Sequence, residues 1–486
     1  MSHDPRRLGG FGTAIVTLLI LALIAASGFV IYLCVDLVNN PPEQTLPAET
    51  IEMPTEAPTE APTETTVPPT TAPPEPESVV ATATVAAQGD LLMHSPVFNS
   101  AKQSDGSYNF ENIFRYSRDL VSSMDYAVAN LETTFGGPSR PHVANQSFCC
   151  PDALAANAKE AGYDMFLTAN NHSGDTMADG LIRTLEVTRA AGLATLGSQM
   201  PGENRYSIVE INGIKIGMVA YTWAFSGNGS EFSLNGLLAI KDEGQMNYFT
   251  KANPDKLYNE LGPIMEAMKA EGAEATMLFI HWGEEYDIHE NEAQRKMAQR
   301  ICDIGFDVIV GGHAHVVQPM ALLESTVDPS HKTVCIYSLG NAVSNQRTGV
   351  SNLFPAGYTE DGAMFTVTFE KYSDGTVYVA GTDVIPTWVN MHANNKNREY
   401  NILPLIKDQE AGWTEAFQLQ GNQFTSAQRS YDRTMGIVGE GLEACKAWIA
   451  QSKTDRDQYY HDLAYGLIEA PAETQAIPQE TTLPAA

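Results

Sequence analysis

The segment DVIVGGHAHVVQP, residues 307–319, decides the fold class of this chain of 486 residues. It opens with the short apolar run Asp307–Val310, which is typical of a buried strand, and passes through two glycines into His313-Ala314-His315. Ligands of open α/β sheets gather at the carboxyl ends of the strands, so the segment suggests a site at such an end. A lone His-x-His is more often surface or core than ligand, and the interpretation therefore depends on the other strands.

Four other apolar runs also end near a side chain that can bind a metal. The runs are Thr82–Ala87, Tyr126–Ala129, Met165–Thr168 and Ala275–Ile280, and the side chains after them are Asp90, Glu132, Asn171 and His281. Carboxylate, amide and imidazole groups suit divalent ions such as Mn²⁺, Fe²⁺ or Zn²⁺. A bridging carboxylate can hold two such ions about 3.5–4 Å apart. The order of these five strand ends predicts a metal site at one rim of a sheet.

Helical patterns, the first of them over Ile113–Met124, separate the apolar runs through most of the chain. Strands that alternate with helices predict an α/β architecture. Two later runs, Met364–Phe369 and Thr376–Ala380, flank Ser373-Asp374-Gly375, and Asp-Gly between such runs predicts a hairpin. Two further helical patterns, Tyr431–Ser452 and Gln458–Ile468, predict a helical C-terminal extension over residues 401–469.

The N-terminal segment predicts a membrane anchor. No charged residue occurs between Phe11 and Val35, and about 20 helical residues cross a bilayer. Arg6 and Arg7 precede this run, so the positive-inside rule places residues 1–10 in the cytoplasm and the rest of the chain outside. The competing interpretation is a cleaved signal peptide, but the run is longer than a signal peptide requires. We favour a single-pass anchor at residues 11–35 in the cell membrane.

Residues 36–78 have the composition of a spacer. Pro, Thr and Glu recur there in a PTEA pattern with few large apolar residues, and such a segment cannot bury enough surface to fold. The stretch 470–486 is similar and predicts a disordered tail. The formal net charge of −30 argues against nucleic acid as a partner. The folded part is then expected at residues 79–400 with the extension at 401–469.

The motifs resemble those of the bacterial CapA family of capsule-synthesis proteins, which are associated with poly-γ-glutamate. The family's domain is similar to calcineurin-like metallophosphoesterases. The resemblance runs from about Thr82 to about Pro404 and implies a four-layer α/β sandwich of metallophosphoesterase type. The segments that carry it are QGDLLMH (88–94), ANLET (129–133), TANNHSGD (168–175), HWGEEY (281–286), DVIVGGHAHVVQP (307–319) and YSLGN (337–341).

The resemblance also implies roles for individual residues. One metal would be held by Asp90 and His315, with Glu132 bridging to a second. The second metal would be held by Asn171, His281 and His313. The implied catalytic residues are His172, as general acid or transition-state donor, and Asp175, which would orient it. The implied substrate contacts are Trp282, Glu284 and Asn341, although Trp282 could equally belong to the core and Asn341 could equally cap a turn.

The first strand end departs from the pattern of related phosphoesterases. They carry Asp-x-His there, whereas Leu92 fills the His position in this chain. His94 is shifted by two residues and shares that face only if the chain stays extended. The departure leaves open whether the site holds one divalent ion or two.

The resemblance implies biosynthesis or export of poly-γ-glutamate or a related surface polymer. The leading hypothesis is a metal-dependent hydrolase or transferase that acts outside the cell, with the anionic polymer and membrane synthase subunits as partners. The second hypothesis is a non-catalytic polymer-binding or scaffold subunit of a membrane synthase complex. A third is a phosphatase unrelated to capsule.

Overall fold

The structure is a computed structural model that describes residues 78–144, 147–226, 232–235, 238–240, 243–351, 354, 357–393, 398–465 and 467–468. The predicted anchor at 11–35, nearly all of the predicted spacer and the predicted tail lie outside these residues. Among the residues described, no helix is both long and apolar enough to cross a membrane.

The strands of the described part account for most of the apolar runs found in the sequence. In chain order they are β1 (Val79–Leu91), β2 (Tyr126–Asn130), β3 (Val143–Ala144), β4 (Phe148–Cys149), β5 (Met165–Leu167), β6 (Ala194–Leu196), β7 (Ser207–Ile211), β8 (Ile214–Ser226), β9 (Phe232–Leu234), β10 (Leu238–Ile240), β11 (Tyr248–Thr250), β12 (Ala275–His281), β13 (Val308–Gly312), β14 (Val317–Glu324), β15 (Lys332–Leu339), β16 (Asn341–Val343), β17 (Asp361–Tyr372), β18 (Val377–Ala393) and β19 (Arg398–Pro404).

The helices lie mainly between these strands, as the alternating sequence pattern predicts. In chain order they are α1 (Ser95–Ser100), α2 (Glu111–Phe114), α3 (Arg118–Ser122), α4 (Ala153–Glu160), α5 (Met177–Ala190), α6 (Asp255–Ala270), α7 (Glu292–Ile304), α8 (Trp413–Ala416) and α9 (Gln423–Ala464). The fold is therefore mixed α/β, as expected from the sequence.

Two large sheets organise the described chain. The first runs β19-β18-β17-β1-β2-β5-β6, with β16 paired to β1. The second runs β10-β9-β8-β12-β13-β15-β14, with β7 and β11 paired to β8. The pairs β1–β2 and β2–β5 in the first sheet, and β8–β12 and β12–β13 in the second, are parallel. The carboxyl ends of these strands consequently lie side by side within each sheet.

Alternation of side chains along the strands builds four layers. Val85 of β1 and Met218 of β8 share one buried cluster, which lies between the two sheets. The next residue of β1, Ala86, points the other way and packs with Leu154 of α4. Val219 of β8 likewise packs outward, in a cluster with residues of α6 and α7. The order of layers is helix, sheet, sheet, helix, as expected when each strand alternates its faces.

The predicted hairpin is confirmed by β17 and β18, which are antiparallel. Its turn includes Gly375 at φ 87°, a left-handed conformation that glycine adopts without steric cost. The predicted helix over Ile113–Met124 is wrong in its continuity, because α2 and α3 are separate short helices.

Helix α9 is one continuous helix of 42 residues, where the sequence pattern predicts two. The interval between them, from Lys453 to Asp457, is charged and lacks apolar periodicity. The helix continues through it: Asp455 accepts a hydrogen bond from Gln451 one turn earlier at 2.8 Å, and the half-buried Arg456 lies over the ring of Tyr378 at 4.2 Å. Packing of α9 on β14 and β18 supports the helix where its own sequence is not amphipathic.

A buried ion pair fastens α9 to the first sheet. Both Nε and Nη2 of Arg433 donate to the carboxylate of Asp361 at 2.6 Å. The Asp361 side chain is 2% exposed and that of Arg433 is 22% exposed. Burial raises the pKa of Asp361 to about 7, although Arg433 acts in the opposite direction. The carboxylate therefore depends on Arg433 for its charge.

Replacing Arg433 by Met should lower the free energy of unfolding by about 3 kcal/mol at pH 8, because a buried carboxylate loses its cation. A folded-state pKa raised above the unfolded value means that stability is lost as the pH rises toward 7. The deficit of Arg433→Met should therefore shrink at pH 5. Urea unfolding at both pH values measures this. The double variant with Asp361→Asn should recover part of the loss at pH 8, and a double variant as unstable as Arg433→Met would contradict the explanation.

Candidate metal centre

The carboxyl ends of five strands bring the six predicted metal ligands together. Asp90 lies at the end of β1, and His281 is the last residue of β12. Glu132, Asn171, His313 and His315 follow β2, β5 and β13 within a few residues. Three of the six, Asp90, Glu132 and Asn171, come from the first sheet, and the three histidines come from the second.

Two triads of ligand atoms share one carboxylate. Glu132, His281 and His313 form one triad, and Asp90, Glu132 and His315 form the other, with the ligand atoms of each within 4.8 Å of one another. Glu132 belongs to both. This is the arrangement that a bridging carboxylate between two divalent ions requires.

Contacts between the ligand side chains extend the first of these triads to Asn171. The Nε2 atom of His281 lies 2.8 Å from Oδ1 of Asn171 and 3.2 Å from Nδ1 of His313. It is also 3.5 Å from Oε1 of Glu132. Two ring nitrogens and two oxygens thus face a common point. In the other triad, His315 Nδ1 lies 3.0 Å from Asp90 Oδ2.

The burial of these groups fits a bound cation. Asp90 and Glu132 are both 0% exposed, and a buried carboxylate is costly unless it is paired or coordinates a metal. The Oε1 atom of Glu132 has no hydrogen-bond partner among the described residues. The donor set of carboxylates, amide and imidazoles suits a divalent ion such as Mn²⁺, Fe²⁺ or Zn²⁺, so the residues fit one or two such ions.

The electrostatics of the two triads differ. Burial raises the pKa of Asp90, and the neighbouring Glu132 raises it further. Burial alone would also raise the pKa of Glu132, but His315 and His281 lower it below its usual range. Burial opposes a charge on His315, yet Glu132 and Asp90 raise its pKa to about 9. Burial and then His281 and His315 hold the pKa of His313 well below its usual range. Positive charge is favoured beside Asp90, and His313 is in the neutral form that binds metals.

The backbone around the Gly-Gly-His-x-His motif is strained. His313 has φ 89° and His315 has φ 55°, conformations that non-glycine residues rarely adopt and that cluster at functional sites. A Cβ atom at Gly311 would lie 1.9 Å from the carbonyl oxygen of Tyr337. Glycine is therefore required there for β13 to approach β15, and the turn that follows directs both imidazoles to the rim.

His172 and Asp175 form a pair next to the triads. Nδ1 of His172 lies 2.7 Å from Oδ2 of Asp175, whose side chain is 1% exposed. The same carboxylate oxygen accepts a hydrogen bond from the backbone N–H of Phe148 at 2.6 Å. The ring of Phe148 packs against that of His172 with centroids 4.5 Å apart. These contacts fix the orientation of the imidazole, and Asp175 contacts its Nδ1 atom rather than Nε2.

Two asparagines that sequence reasoning missed hold the ligand side chains in place. Asn130 Nδ2 donates to Asp90 Oδ1 at 2.7 Å and lies 3.3 Å from Glu132 Oε2. Asn235, in the turn after β9, accepts from Asn171 Nδ2 at 2.9 Å, and its own amide nitrogen lies 3.0 Å from His172 Nδ1. Asn130 stands two residues before Glu132 in a motif and could have been found there. Asn235 belongs to no motif, and only the folded hairpin brings it to the site.

At the end of β1, Leu92 stands where related phosphoesterases carry a histidine, and no other histidine of the described residues takes its place in the two triads. Leu92 is buried, and His94 belongs to neither triad. Nδ1 of His94 accepts a hydrogen bond from the backbone N–H of Asn345 at 3.2 Å. Burial and then the proximity of His315 lower its pKa to about 4. His94 is thus a neutral, hydrogen-bonded histidine beside the site.

The three predicted substrate contacts occupy different environments. Trp282 is 1% exposed, stacks on Tyr337 and donates from Nε1 to the carbonyl oxygen of that residue at 2.9 Å. Asn341 is 0% exposed and donates to the carbonyl oxygen of His315 at 3.1 Å. Glu284 is exposed and pairs with Lys251 at 2.5 Å. Contact of these side chains with a substrate stays a prediction, and in this structure Glu284 is the one of the three that faces solvent.

The YSLGN segment carries the chain from one sheet to the other. It leaves the second sheet at the end of β15 and enters the first at β16, which pairs with β1. Gly340 lies between them at φ 66°, and its carbonyl oxygen accepts a hydrogen bond from the N–H of Asp90 at 3.0 Å. The segment thereby fixes the backbone of the first strand end.

A family model described as the bacterial capsule synthesis protein PGA_cap matches residues 84–346, which include all of the ligand positions above. The chain belongs to this family. It is 26% identical over 344 residues to the capsule biosynthesis protein CapA of Bacillus anthracis, covering 67% of this chain and 74% of that protein. It is also 26% identical over 335 residues to the PGA biosynthesis protein CapA of Bacillus subtilis (strain 168), covering 67% of this chain and 78% of that protein.

Solved structures offer a weaker likeness. The Haemophilus influenzae NAD nucleotidase NadN has a TM-score of 0.37 at 13% identity, over 78% of this chain and 68% of that one. The Thermus thermophilus sulfate thiohydrolase SoxB has a TM-score of 0.34 at 14% identity, over 73% of this chain and 60% of that one. With TM-scores this low, neither structure bears on the function.

Because both triads share Glu132, the number of metal ions bound should depend on which ligand is replaced. We expect the purified protein to bind about two Mn²⁺ ions per chain, and His281→Ala, which spares the triad around Asp90, to bind about one. Glu132→Gln should impair both sites, because both triads lose a charged ligand. Equilibrium dialysis with elemental analysis measures this, with His289→Ala, an exposed histidine, as the control. A Glu132→Gln protein with wild-type metal content would refute the shared-ligand arrangement.

Proposed function

We propose that this member of the capsule-synthesis family is a metal-dependent hydrolase or transferase acting on a phosphoester during biosynthesis or export of a surface polymer. The observation that carries the proposal is the pair of buried ligand triads that share Glu132, next to a His172–Asp175 pair. We also propose that the fold is of the metallophosphoesterase type, because ligands from two facing sheets meet at one rim.

The chain's own residues supply positioning and proton transfer. Two divalent ions held by the triads would polarise a phosphoryl group and activate the attacking water or hydroxyl. Asp175 holds Nδ1 of His172, so Nε2 is the atom available to hold a proton and give it to the leaving group. The buried carboxylate of Asp175 stabilises the imidazolium that holds this proton on Nε2, and the ring becomes neutral when the proton passes to the leaving group. Asn235 and Asn130 keep the amide and carboxylate ligands oriented, as hydrogen-bonded neighbours of metal ligands do.

A non-catalytic role has one observation in its favour. Leu92 occupies a position where an imidazole would complete the ligands around Asp90, and His94 is engaged elsewhere. The triad of Asp90, Glu132 and His315 therefore offers fewer side chains than the group around His281. If that site is weak, the domain would serve as a one-metal polymer-binding or scaffold subunit of a membrane synthase complex.

We further propose that residues 11–35 anchor the chain in the cell membrane with the folded part outside. The support is the uncharged run preceded by Arg6 and Arg7, together with the positive-inside rule. An anionic polymer such as poly-γ-glutamate and membrane synthase subunits are the proposed partners. The curated relatives' names support the polymer, since one is a PGA biosynthesis protein.

Deleting residues 1–35 should release the protein from the membrane fraction, because the proposed anchor is lost while the folded part is kept. Fractionation of cells followed by immunoblotting measures this. In intact cells from which the wall has been removed, added protease should degrade the folded part of the full-length chain. A folded part that is protected from protease would contradict the proposed orientation.

His172→Ala should keep its metal and lose turnover. Loss of a general acid typically costs about 10²–10⁴-fold in rate, and Asp175→Asn should cost less because the imidazole is still present. The assay is hydrolysis of a panel of phosphomonoesters, phosphodiesters and γ-glutamyl peptides, with metal content measured on the same samples. His289→Ala is the control for a remote histidine. Fully metal-loaded wild type that turns over no member of the panel would favour the scaffold function instead.

A further inference from the structure

An apolar pocket that the metal centre does not use opens between α6 and α7. Its volume is about 620 Å³, within the range of about 300–1,000 Å³ typical of sites for small ligands. The walls are mainly apolar and include Trp223, Phe249, Pro254, Tyr258 and Met297. An apolar cavity of this size at the surface is characteristic of a binding site.

The pocket adjoins the metal centre through one side chain. The ring of Trp223 contacts that of His313 edge-on, with centroids 5.4 Å apart, and the same ring lines the pocket. Gly283 and Glu284, which also line it, follow directly on His281 and Trp282. The pocket and the metal centre therefore share the Trp223 ring, and the apolar space lies one side chain away from His313.

The rim of the pocket is positively charged in a chain whose formal net charge is −30. Three cations line it, Lys251, Lys296 and Arg300, against the single carboxylate of Glu284. Lys251 and Lys296 are exposed and pair with Glu284 and Glu292. Arg300 lies over the ring of Tyr258 at 4.5 Å, and no ion pair joins it to a carboxylate within the described ranges. With Lys251 and Lys296 paired, Arg300 is the rim cation that is left to attract an anionic ligand.

The amides of the wall are already engaged. Asn291 and Gln294 bond to each other in the capping box of α7, and Gln294 also donates to Gln318 at 2.8 Å. Gln299 donates to the carbonyl oxygen of Glu324 at 2.9 Å. These groups are not free to read the polar edge of a nucleobase or a sugar. With the amides engaged, the pocket suits an apolar group, and the buried indole N–H of Trp223, which has no hydrogen-bond partner among the described residues, is a donor next to the metal centre.

We propose that this pocket binds the aliphatic chain of an anionic amphiphile whose phosphoryl group lies at the metal centre. The substrate class is then a phosphoester of a long-chain alcohol, and Arg300, which forms no ion pair within the described ranges, attracts its negative charge. The placement of the phosphoryl group at the metal centre rests on the proposed function. Binding of the aliphatic chain in the pocket does not.

The test is calorimetric titration of the full protein with ethyl, butyl, octyl and decyl phosphate below their micelle concentrations. The dissociation constant should fall by up to about fourfold for each added methylene, which corresponds to about 0.8 kcal/mol, until the pocket is full. Ala293→Trp, at an exposed position that lines the pocket, should raise the dissociation constant of decyl phosphate at least tenfold and leave that of ethyl phosphate unchanged. Arg300→Glu should weaken the binding of all four alkyl phosphates. Arg295→Glu, on the same helix but outside the lining, should leave their binding unchanged.

The outcomes separate this inference from the proposed function. If the chain-length dependence is present but no phosphoester is hydrolysed, the pocket assignment stands and the catalytic proposal fails. If ethyl and decyl phosphate are bound and hydrolysed equally well, catalysis stands and the pocket assignment is overturned. Tighter binding of adenosine monophosphate than of octyl phosphate would also overturn it, because the pocket would then prefer an aromatic, hydrogen-bonding group.

Discussion

The burial of two carboxylates, Asp90 and Glu132, is the constraint on which the rest of the centre depends. Both lack solvent exposure, and negative charge in such a place needs nearby cations or hydrogen-bond donors. The described chain provides the amide of Asn130 and the ring of His315, and it leaves one oxygen of Glu132 without a partner. Three features hold hydrogen-bond donors and ligands around these two carboxylates. They are the strained turn at His313 and His315, the connection between the sheets at Gly340, and the hydrogen-bonded asparagine amides.

Much of the site could be predicted from the sequence because each ligand follows a recognisable strand. Parallel strands end at one rim, so the residues after β1, β2, β5, β12 and β13 had to gather there once the strands were identified. Asn235 could not be found in this way, because its contact with Asn171 depends on how a hairpin folds back. The continuity of α9 was missed for a related reason, since packing on two strands sustains a helix whose own pattern lapses.

Family membership and the geometry address different questions. The family match and its relatives concern capsule synthesis, and they say nothing about which bond is made or broken. The paired triads and the fixed imidazole of His172 support the proposed hydrolase or transferase chemistry, and they do not identify a polymer. Arg300 at the rim of the pocket matters here, because it is a cation without an ion pair in the described ranges of a chain that is acidic overall.

The distribution of ligands between the sheets has a mechanical consequence. Each triad takes its carboxylates from the first sheet and its imidazoles from the second, so a bound ion acts as a cross-link between the two halves of the sandwich. Helix α9 is the counterpart of this link, because it packs on β18 of the first sheet and β14 of the second. Any ligand that binds the folded state alone adds to its stability. Resistance of this protein to unfolding would then vary with the supply of divalent ions around it, and chelation would loosen the sheets from each other at the rim while α9 still held them together.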